Sequence, residues 1–240
     1  MIQKSKNGSS AFVEALELAG VKKVFTLSGN HIMPIYDAIF DSNIDLIHTR
    51  HEGAAVHMAD AYARLTGEIG IALVTGGPGH ANAVSALYTA SMAESPVVLI
   101  SGHAPLNQLG KGAFQEMAQA ENAAPLTKAS WTCQKTDDVA TDLAKAIQIA
   151  KSGRPGPTHL SLPTDVLEGF VSANLSPLLP SAFQELKVVP KSTDIQLIIL
   201  GLMRAKKPLI LVGPSMPSKE NRKLLVTLEQ SFGIPVIGME

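Results

Sequence analysis

An apolar run that breaks into glycines constrains the fold more than any other feature. Residues 69–75 read IGIALVT, Gly76-Gly77-Pro78-Gly79 follow, and residues 80–92 resume as a helix rich in small side chains. An apolar run without alternation is typical of a parallel strand that is covered on both faces. The other strand candidates, most of them with helical patterns between them, lie at 21–27, 46–50, 96–101 and 159–162. We therefore predict an α/β fold, a doubly wound parallel sheet with helices on both faces.

Composition agrees with this class and excludes others. Hydrophobic residues make up 45% of the chain but aromatic residues only 5%, so the core must consist mainly of Ala, Val, Ile and Leu. A net charge of −1 gives no positive electrostatic potential that would attract nucleic acid or an anionic membrane. No apolar run approaches the length of a membrane span, and we expect a cytoplasmic protein. We expect the single cysteine, Cys133, to serve packing.

Glu52 lies where a strand becomes a helix. The segment DLIHTRHEGAAVHMADAYAR, residues 45–64, begins with a short apolar run and continues from Gly53 with one apolar helical face. A residue at the carboxyl end of a parallel strand faces the crevice in which open α/β sheets bind ligands. By position alone, however, a surface glutamate that complements the helix dipole is the favoured interpretation.

The rest of the chain divides by pattern. We expect a first domain over residues 1–170, a proline-containing linker over 171–193 and a second α/β unit over 194–240. The second unit offers only two strands, which leaves apolar surface uncovered, so we expect it to be the incomplete start of a central domain. Within the first domain, residues 102–125 are too polar for a buried strand. A loop of that length is usually functional or mobile.

Several familiar motifs are absent. The turn TGGPGHAN can bind an anion at the helix start, but it matches neither the P-loop nor the G-x-G-x-x-G pattern, and a purely structural turn is an equal alternative. The spacing of His48, His51 and His57 argues against a metal site, because residues six apart lie on different faces of a helix. No G-x-S-x-G elbow of a serine hydrolase is present.

Four motifs in order carry a resemblance. They are RHEGAAVHMADAYARLTG, ALVTGGPGHANAVSAL, SPVVLISGHAP and GAFQEM. Together they resemble the pyrimidine-binding domain of thiamine diphosphate-dependent enzymes of the acetolactate synthase, pyruvate oxidase and benzaldehyde lyase group. The resemblance covers about residues 9–167, and residues 195–240 are similar to the start of that group's central domain.

The resemblance implies roles for particular residues. Glu52 matches the glutamate that hydrogen-bonds the cofactor's aminopyrimidine ring nitrogen and so promotes loss of the thiazolium C2 proton. Cofactor-binding positions are implied at Gly29, Glu52, Gly77, Pro78 and Asn82. Phe114 and Gln115 match a loop that reaches the reacting centre, and Gln115 joins Glu52 as a catalytic residue. His31 departs from the acetolactate synthase pattern and is similar to a substrate-facing histidine of benzaldehyde lyase, with a surface histidine at a helix start as the alternative.

The resemblance also implies what lies outside these motifs. Relatives bind Mg2+ and the diphosphate through a separate C-terminal domain with a Gly-Asp-Gly segment, which this sequence lacks, so no metal ligands are expected here. The implied function is the aminopyrimidine half-site of a carboligase, lyase or decarboxylase acting on 2-oxo acids or aldehydes. Implied partners are a homodimer or homotetramer and, if needed, a subunit carrying the diphosphate domain; FAD is possible but unsupported. The alternative is a noncatalytic truncated or split-gene chain that depends on such a partner.

Overall fold

The first unit contains a six-stranded sheet, which confirms the predicted fold class. The structure is a computed structural model that describes residues 6–216 and 219–239. The chain divides into two compact units, Met1–Leu186 and Lys187–Glu240. Residues 1–5, 217–218 and 240, which belong to the predicted first and last domains, lie outside the described residues.

The strands and helices of the first unit follow the predicted alternation. The strands are β1 (Lys23–Thr26), β2 (Asp45–His48), β3 (Gly70–Val74), β4 (Val97–His103), β5 (Ser130–Thr132) and β6 (Thr158–Pro163). The helices are α1 (Gly8–Leu18), α2 (Met33–Ile39), α3 (Glu52–Thr66), α4 (Pro78–Met92), α5 (Gln119–Ala123), α6 (Val139–Lys151) and α7 (Thr164–Glu168). The short strand β5 and the short helices α5 and α7 have no counterpart among the predicted elements.

All neighbouring strands of this sheet run parallel, in the order β2-β1-β3-β4-β6-β5. Alternate residues of β3 enter two separate cores, as a pleated strand requires. Ile71 and Leu73 pack with α1, α2, α6 and α7, whereas Ala72 and Val74 pack with α3 and α4. The sheet is therefore covered on both faces.

Small residues lie between α3 and α4. The core on that face contains Ala55 and Ala59 of α3 with Ala83, Ala86 and Ala90 of α4. A Cβ atom on Gly53 would lie 3.3 Å from the Asn82 carbonyl oxygen, so the two helices approach closely at their first turns. We call these six residues the small-residue seam.

The second unit is a smaller α/β arrangement. It contains α8 (Ser192–Arg204), β7 (Ile210–Val212), α9 (Lys219–Phe232) and β8 (Val236–Gly238), and its two strands pair in parallel. The region that the sequence predicts as a linker begins within the first unit, because Phe183 is buried in that unit's core. Over residues 6–216 and 219–239, every helix falls short of the length and hydropathy that crossing a membrane requires.

Candidate cofactor-binding site

The sequence-predicted site residues gather at the carboxyl ends of β1, β2 and β3. The strand order reverses beside β1, which pairs with β2 on one side and β3 on the other. The chain leaves β1 toward Gly29 and His31, leaves β2 toward Glu52, and leaves β3 toward Gly77. Open α/β sheets bind ligands in the crevice at such a reversal. Topology alone thus brings together residues that lie far apart in the sequence.

Glu52 is the first residue of α3, and its carboxylate faces α4. The His51 ring caps the helix, since its Nδ1 accepts a hydrogen bond from the Gly53 backbone N–H at 3.0 Å. Glu52 Oε2 accepts a hydrogen bond from Asn82 Nδ2 at 3.0 Å. In the part of the chain that the structure describes, Oε1 has no hydrogen-bond partner. The carboxylate is therefore held by one oxygen and can bind a ligand with the other.

Two glycines bring the backbone against Thr75 beside this carboxylate. A Cβ atom on Gly29 would lie 2.4 Å from Thr75 Cβ, and one on Gly79 would lie 2.7 Å from Thr75 Cγ2 and 3.3 Å from Glu52 Oε1. Side chains at either glycine would occupy the space next to Glu52. This cradle requires glycine for close approach rather than for backbone conformation, because Gly29 is extended, with φ −177° and ψ 166°.

Gly77 is required for its conformation as well. It has φ +58° and ψ −114° immediately before α4, and Pro78 occupies the first turn of that helix, where its missing N–H is harmless. A Cβ atom on Gly77 would lie 2.7 Å from the Gln115 carbonyl oxygen. The glycine turn and the long loop after β4 are thus in direct backbone contact.

Phe114 and Gln115 cover His31. The rings of His31 and Phe114 stack at 5.8 Å between centroids with 22° between their planes. Gln115 has φ +56°, an unusual conformation for a residue with a side chain, and its Oε1 is buried without a partner among the described residues. Strained residues and unpaired buried polar atoms cluster at functional sites. The loop predicted to reach the reacting centre therefore lies over the residue predicted to face the substrate.

His31 is a buried imidazole. Its exposed fraction is 3%, so the alternative of a surface histidine is wrong. Burial lowers the pKa of His31, as does the nearby His103, while contacts with the Gln115 side chain and the Phe114 backbone oppose the shift. A neutral imidazole can accept a proton, which suits a residue beside reacting groups.

Glu116 closes part of the same loop on itself. Its carboxylate accepts hydrogen bonds from the backbone N–H groups of Gly110, Gly112 and Ala113. The bonds from Gly110 and then Ala113 lower the pKa of Glu116. The carboxylate thereby fixes the backbone just before Phe114.

We expect Glu116→Ala to loosen this loop, because three backbone N–H groups lose their acceptor. Lys111 lies between two of these groups, so trypsin should cut after Lys111 several-fold faster, as followed by mass spectrometry. The control is Glu121→Ala, which removes an exposed carboxylate from α5. Equal cleavage rates at Lys111 in wild type and Glu116→Ala would contradict the role given to Glu116.

A buried histidine network below the loop was not predicted from the sequence. The rings of His80 and His159, both 0% exposed, lie 4.6 Å apart between centroids. Ser101 Oγ lies 2.8 Å from His80 Nδ1 and 3.2 Å from His159 Nε2, and Ser130 Oγ lies 2.8 Å from His159 Nδ1. Burial lowers the pKa of His80 to about 4 and the pKa of His159 in the same direction. Both rings are therefore neutral at pH 7.

This network should make the first unit sensitive to acid. A histidine whose pKa is lower in the folded chain binds more protons when unfolded, so its contribution to stability is present above about pH 6.5 and is lost as the pH falls toward 4. His80 alone should remove about 2 kcal/mol of unfolding free energy between pH 7 and pH 4.5. Urea unfolding followed by the fluorescence of Trp131, the single tryptophan, measures this loss.

The variant His80→Asn tests the assignment, because asparagine can still bond to Ser101 but does not titrate. Its loss of stability over the same pH range should be smaller than the wild-type loss by about 2 kcal/mol. An identical loss in both proteins would show that His80 does not carry the effect.

The remaining candidates are the histidines that the sequence excluded as metal ligands and the single cysteine. The His48 ring lies beside Tyr36, and in the described residues no group of three or more His, Cys, Asp or Glu side chains is arranged to hold a metal ion. Cys133 is fully buried, and burial raises the pKa of its thiol to about 12. It therefore remains a protonated packing residue.

Comparison with known proteins agrees with the family resemblance of the sequence motifs. Residues 6–122 match the family described as thiamine pyrophosphate enzyme, N-terminal TPP binding domain. The chain is 37% identical over 237 residues to the acetolactate synthase isozyme 3 large subunit of Escherichia coli (strain K12), covering 96% of this chain and 41% of that protein. It is 35% identical over 270 residues to 2-hydroxyacyl-CoA lyase 2 of Danio rerio, covering 97% of this chain and 43% of that protein.

A third relative matches over nearly the same length of the chain. The probable acetolactate synthase large subunit of Methanocaldococcus jannaschii is 35% identical over 234 residues, covering 95% of this chain and 39% of that protein. The chain thus spans about two fifths of the length of these curated relatives.

Proposed function

Because residues 6–122 belong to the thiamine pyrophosphate enzyme family, as its N-terminal TPP binding domain, we propose that the cleft beside Glu52 binds the aminopyrimidine ring of thiamine diphosphate. The observation that carries the proposal is the Glu52 carboxylate, fixed through Oε2 and unpartnered at Oε1, beside a cradle formed by Gly29 and Gly79. The cradle offers backbone and the Thr75 side chain rather than bulky side chains, which suits a flat ring.

Glu52 would act by holding a proton at one defined atom. Asn82 orients the carboxyl through Oε2, which leaves Oε1 to share a proton with a ring nitrogen. When bound, the cofactor supplies a carbon nucleophile that adds to carbonyl groups and accepts the electrons of the bond that breaks. Gly77 and Pro78 shape the turn that borders this cleft at the start of α4.

We propose a 2-oxo acid or an aldehyde as the substrate, in an acetolactate synthase-like transferase reaction or in a lyase or decarboxylase reaction. His31 and Gln115 are the residues that would face it, since His31 is buried beneath the loop and contacts the Gln115 side chain of that loop. The imidazole of His31 specifically favours the lyase alternative, because a neutral histidine can remove or return a hydroxyl proton of a 2-hydroxy compound. The similarity to a 2-hydroxyacyl-CoA lyase supports that alternative.

The proposal requires a second half-site. A diphosphate-binding domain with Mg2+, on the same polypeptide or on a partner subunit, would complete the active site, and a homodimer or homotetramer would bring the halves together. A noncatalytic chain that only pairs with such a partner is the rival proposal. Pull-down from the native source, with the intact mass of the polypeptide measured in parallel, separates the two: recovery of a diphosphate-domain partner, or a mass that includes that domain, favours the enzyme.

The half-site can be tested on the chain by itself. Thiamine carries the aminopyrimidine ring without the diphosphate, so it probes this cleft alone. In a 15N-labelled chain, added thiamine should shift the backbone amide signals of Glu52, Gly77 and Gly79, and Glu52→Gln should reduce these shifts. Shifts confined to other regions of the chain, or none at millimolar thiamine, would overturn the proposed function.

A further inference from the structure

Gln119 connects three segments through one side chain. Its exposed fraction is 1%. Oε1 accepts a hydrogen bond from the Gly77 backbone N–H at 2.8 Å, and Nε2 donates to the Gly102 carbonyl oxygen at 3.1 Å and to Ser161 Oγ at 2.8 Å. The oxygen and both amide hydrogens are therefore used, and each bond reaches a different element of the fold.

The contact with Gly77 has a particular consequence. The N–H groups of the first turn of a helix have no partner within the helix, so the Gly77 N–H at the start of α4 would otherwise be unsatisfied in a buried position. Gln119 Oε1 accepts the hydrogen bond from this N–H group. The turn that carries φ +58° is thus fixed by a side chain that lies 42 residues further along the chain.

Gly77 in turn supports the backbone of Gln115. The position that a Cβ atom would occupy on Gly77 lies 2.7 Å from the Gln115 carbonyl oxygen and 2.8 Å from Gln115 Cβ. Gln115 has positive φ and contacts the His31 ring through its side chain. A chain of contacts therefore leads from Gln119 through Gly77 and Gln115 to His31.

The loop itself is closed at its base by the same region. His103, at the end of β4, has Nε2 3.0 Å from the Met117 carbonyl oxygen, two residues before Gln119. Both contacts join the end of the loop to the sheet. Gln119 differs from His103 in that its bonds also include the glycine turn.

We propose that Gln119 is a positioning residue, which holds the glycine turn against Gln115 and thereby sets the placement of Gln115 over His31. It touches no reacting group in this arrangement and acts through the backbone segments that it holds, the glycine turn at Gly77 and the Gly102 carbonyl beside His31. The inference rests on the proposed function, because it concerns the geometry of the same cleft.

The variant Gln119→Met tests the proposal, since methionine is similar in size but accepts no strong hydrogen bond. If the turn and Gln115 move, water reaches His31 and its pKa should rise toward the ordinary value near 6.5. Titration of the His31 ring protons by NMR, assigned with His31→Asn, measures this shift. Thiamine affinity, measured by the amide shifts of Glu52 and Gly79, should fall at least tenfold.

Thr158→Val is the matched control. Thr158 is a buried residue at the other end of β6, where its hydroxyl donates to the Ala146 carbonyl oxygen. It should lower stability but leave the His31 pKa and thiamine affinity at their wild-type values. Gln119→Glu retains an oxygen for Gly77, so its His31 pKa should lie nearer the wild-type value than that of Gln119→Met. Unchanged His31 titration in Gln119→Met would overturn the proposal.

One measurement uses the wild-type chain and therefore does not require that any variant folds. The Gly77 amide of the wild-type chain should exchange its hydrogen slowly, because it donates to a buried oxygen, and fast exchange would overturn the proposal. Failure of the proposed function has a different signature. If thiamine does not bind the wild-type chain, or if Glu52→Gln leaves thiamine affinity unchanged, the half-site assignment fails, while the His31 titration of Gln119→Met still decides the role of Gln119.

Discussion

Glu52→Gln should slow the exchange of the C2 proton of bound thiamine diphosphate by at least about 100-fold, the range of a lost general acid or base. Glutamine has the same shape, and its oxygen can still accept the bond from Asn82 Nδ2. It cannot, however, give up or take a proton at the position of Oε1. The exchange is followed by NMR in deuterium oxide, in the protein assembled with the diphosphate-binding domain that the proposal requires.

The comparison separates proton transfer from binding. Glu17→Gln, which changes an exposed glutamate of α1, should leave the exchange rate unaltered. Thiamine diphosphate must be saturating for each protein, so that a rate and not an affinity is compared. Undiminished exchange in Glu52→Gln would remove Glu52 from the reaction, whatever its effect on binding.

Gly77→Ala should destabilise the first unit by about 4 kcal/mol, the sum of backbone strain and overpacking. The new Cβ would lie 2.7 Å from a carbonyl oxygen of the Gln115 backbone, which cannot rotate away as a side-chain end can. Relief requires Gln115 to move, so thiamine binding should be lost together with stability. Urea unfolding followed by Trp131 fluorescence measures the first unit alone, because the single tryptophan lies in β5.

Gly67→Ala is the control, because it introduces the backbone strain of a positive φ without a steric clash of the new Cβ atom. Gly67 has φ +76° at the end of α3, but a Cβ atom there would meet nothing within 4 Å. This substitution should cost only about 1 kcal/mol, the cost of a left-handed residue, and should leave thiamine binding intact. Equal losses for the two alanine variants would mean that the contact with Gln115 is unimportant.

The elements that the sequence predicts well are those with strong patterns. The apolar run at 69–75 became β3, and the helix predicted after Gly79 became α4 with a start two residues earlier, at Pro78. The strand β5 was missed because it has three residues, lies at the sheet edge and pairs only with β6, so packing against β6 and not local pattern decides its form.

The candidate site, too, was predicted only in part from the sequence. The position of Glu52 between strand and helix follows from periodicity, but its hydrogen bond with Asn82 was not predicted. That Gln115 and His31 belong to one site was implied only by the family resemblance. No local signal identifies Gln119, His80 or His159 as one region. Their contacts join α4, β6 and the end of the loop, and residues so distant along the chain meet only once the sheet has formed.

The small-residue seam has a thermal consequence. Alanine and glycine have no side-chain rotamers, so warming offers this interface no alternative packing. Because Glu52 and Asn82 lie at the first turns of the two helices that meet there, their separation is set by backbone contact at Gly53. The spacing of this pair should therefore stay nearly constant up to the melting of the first unit. Substitutions that adapt the chain to a hotter or colder habitat are then expected on its exposed helix faces. The residues of the small-residue seam are expected to stay the same.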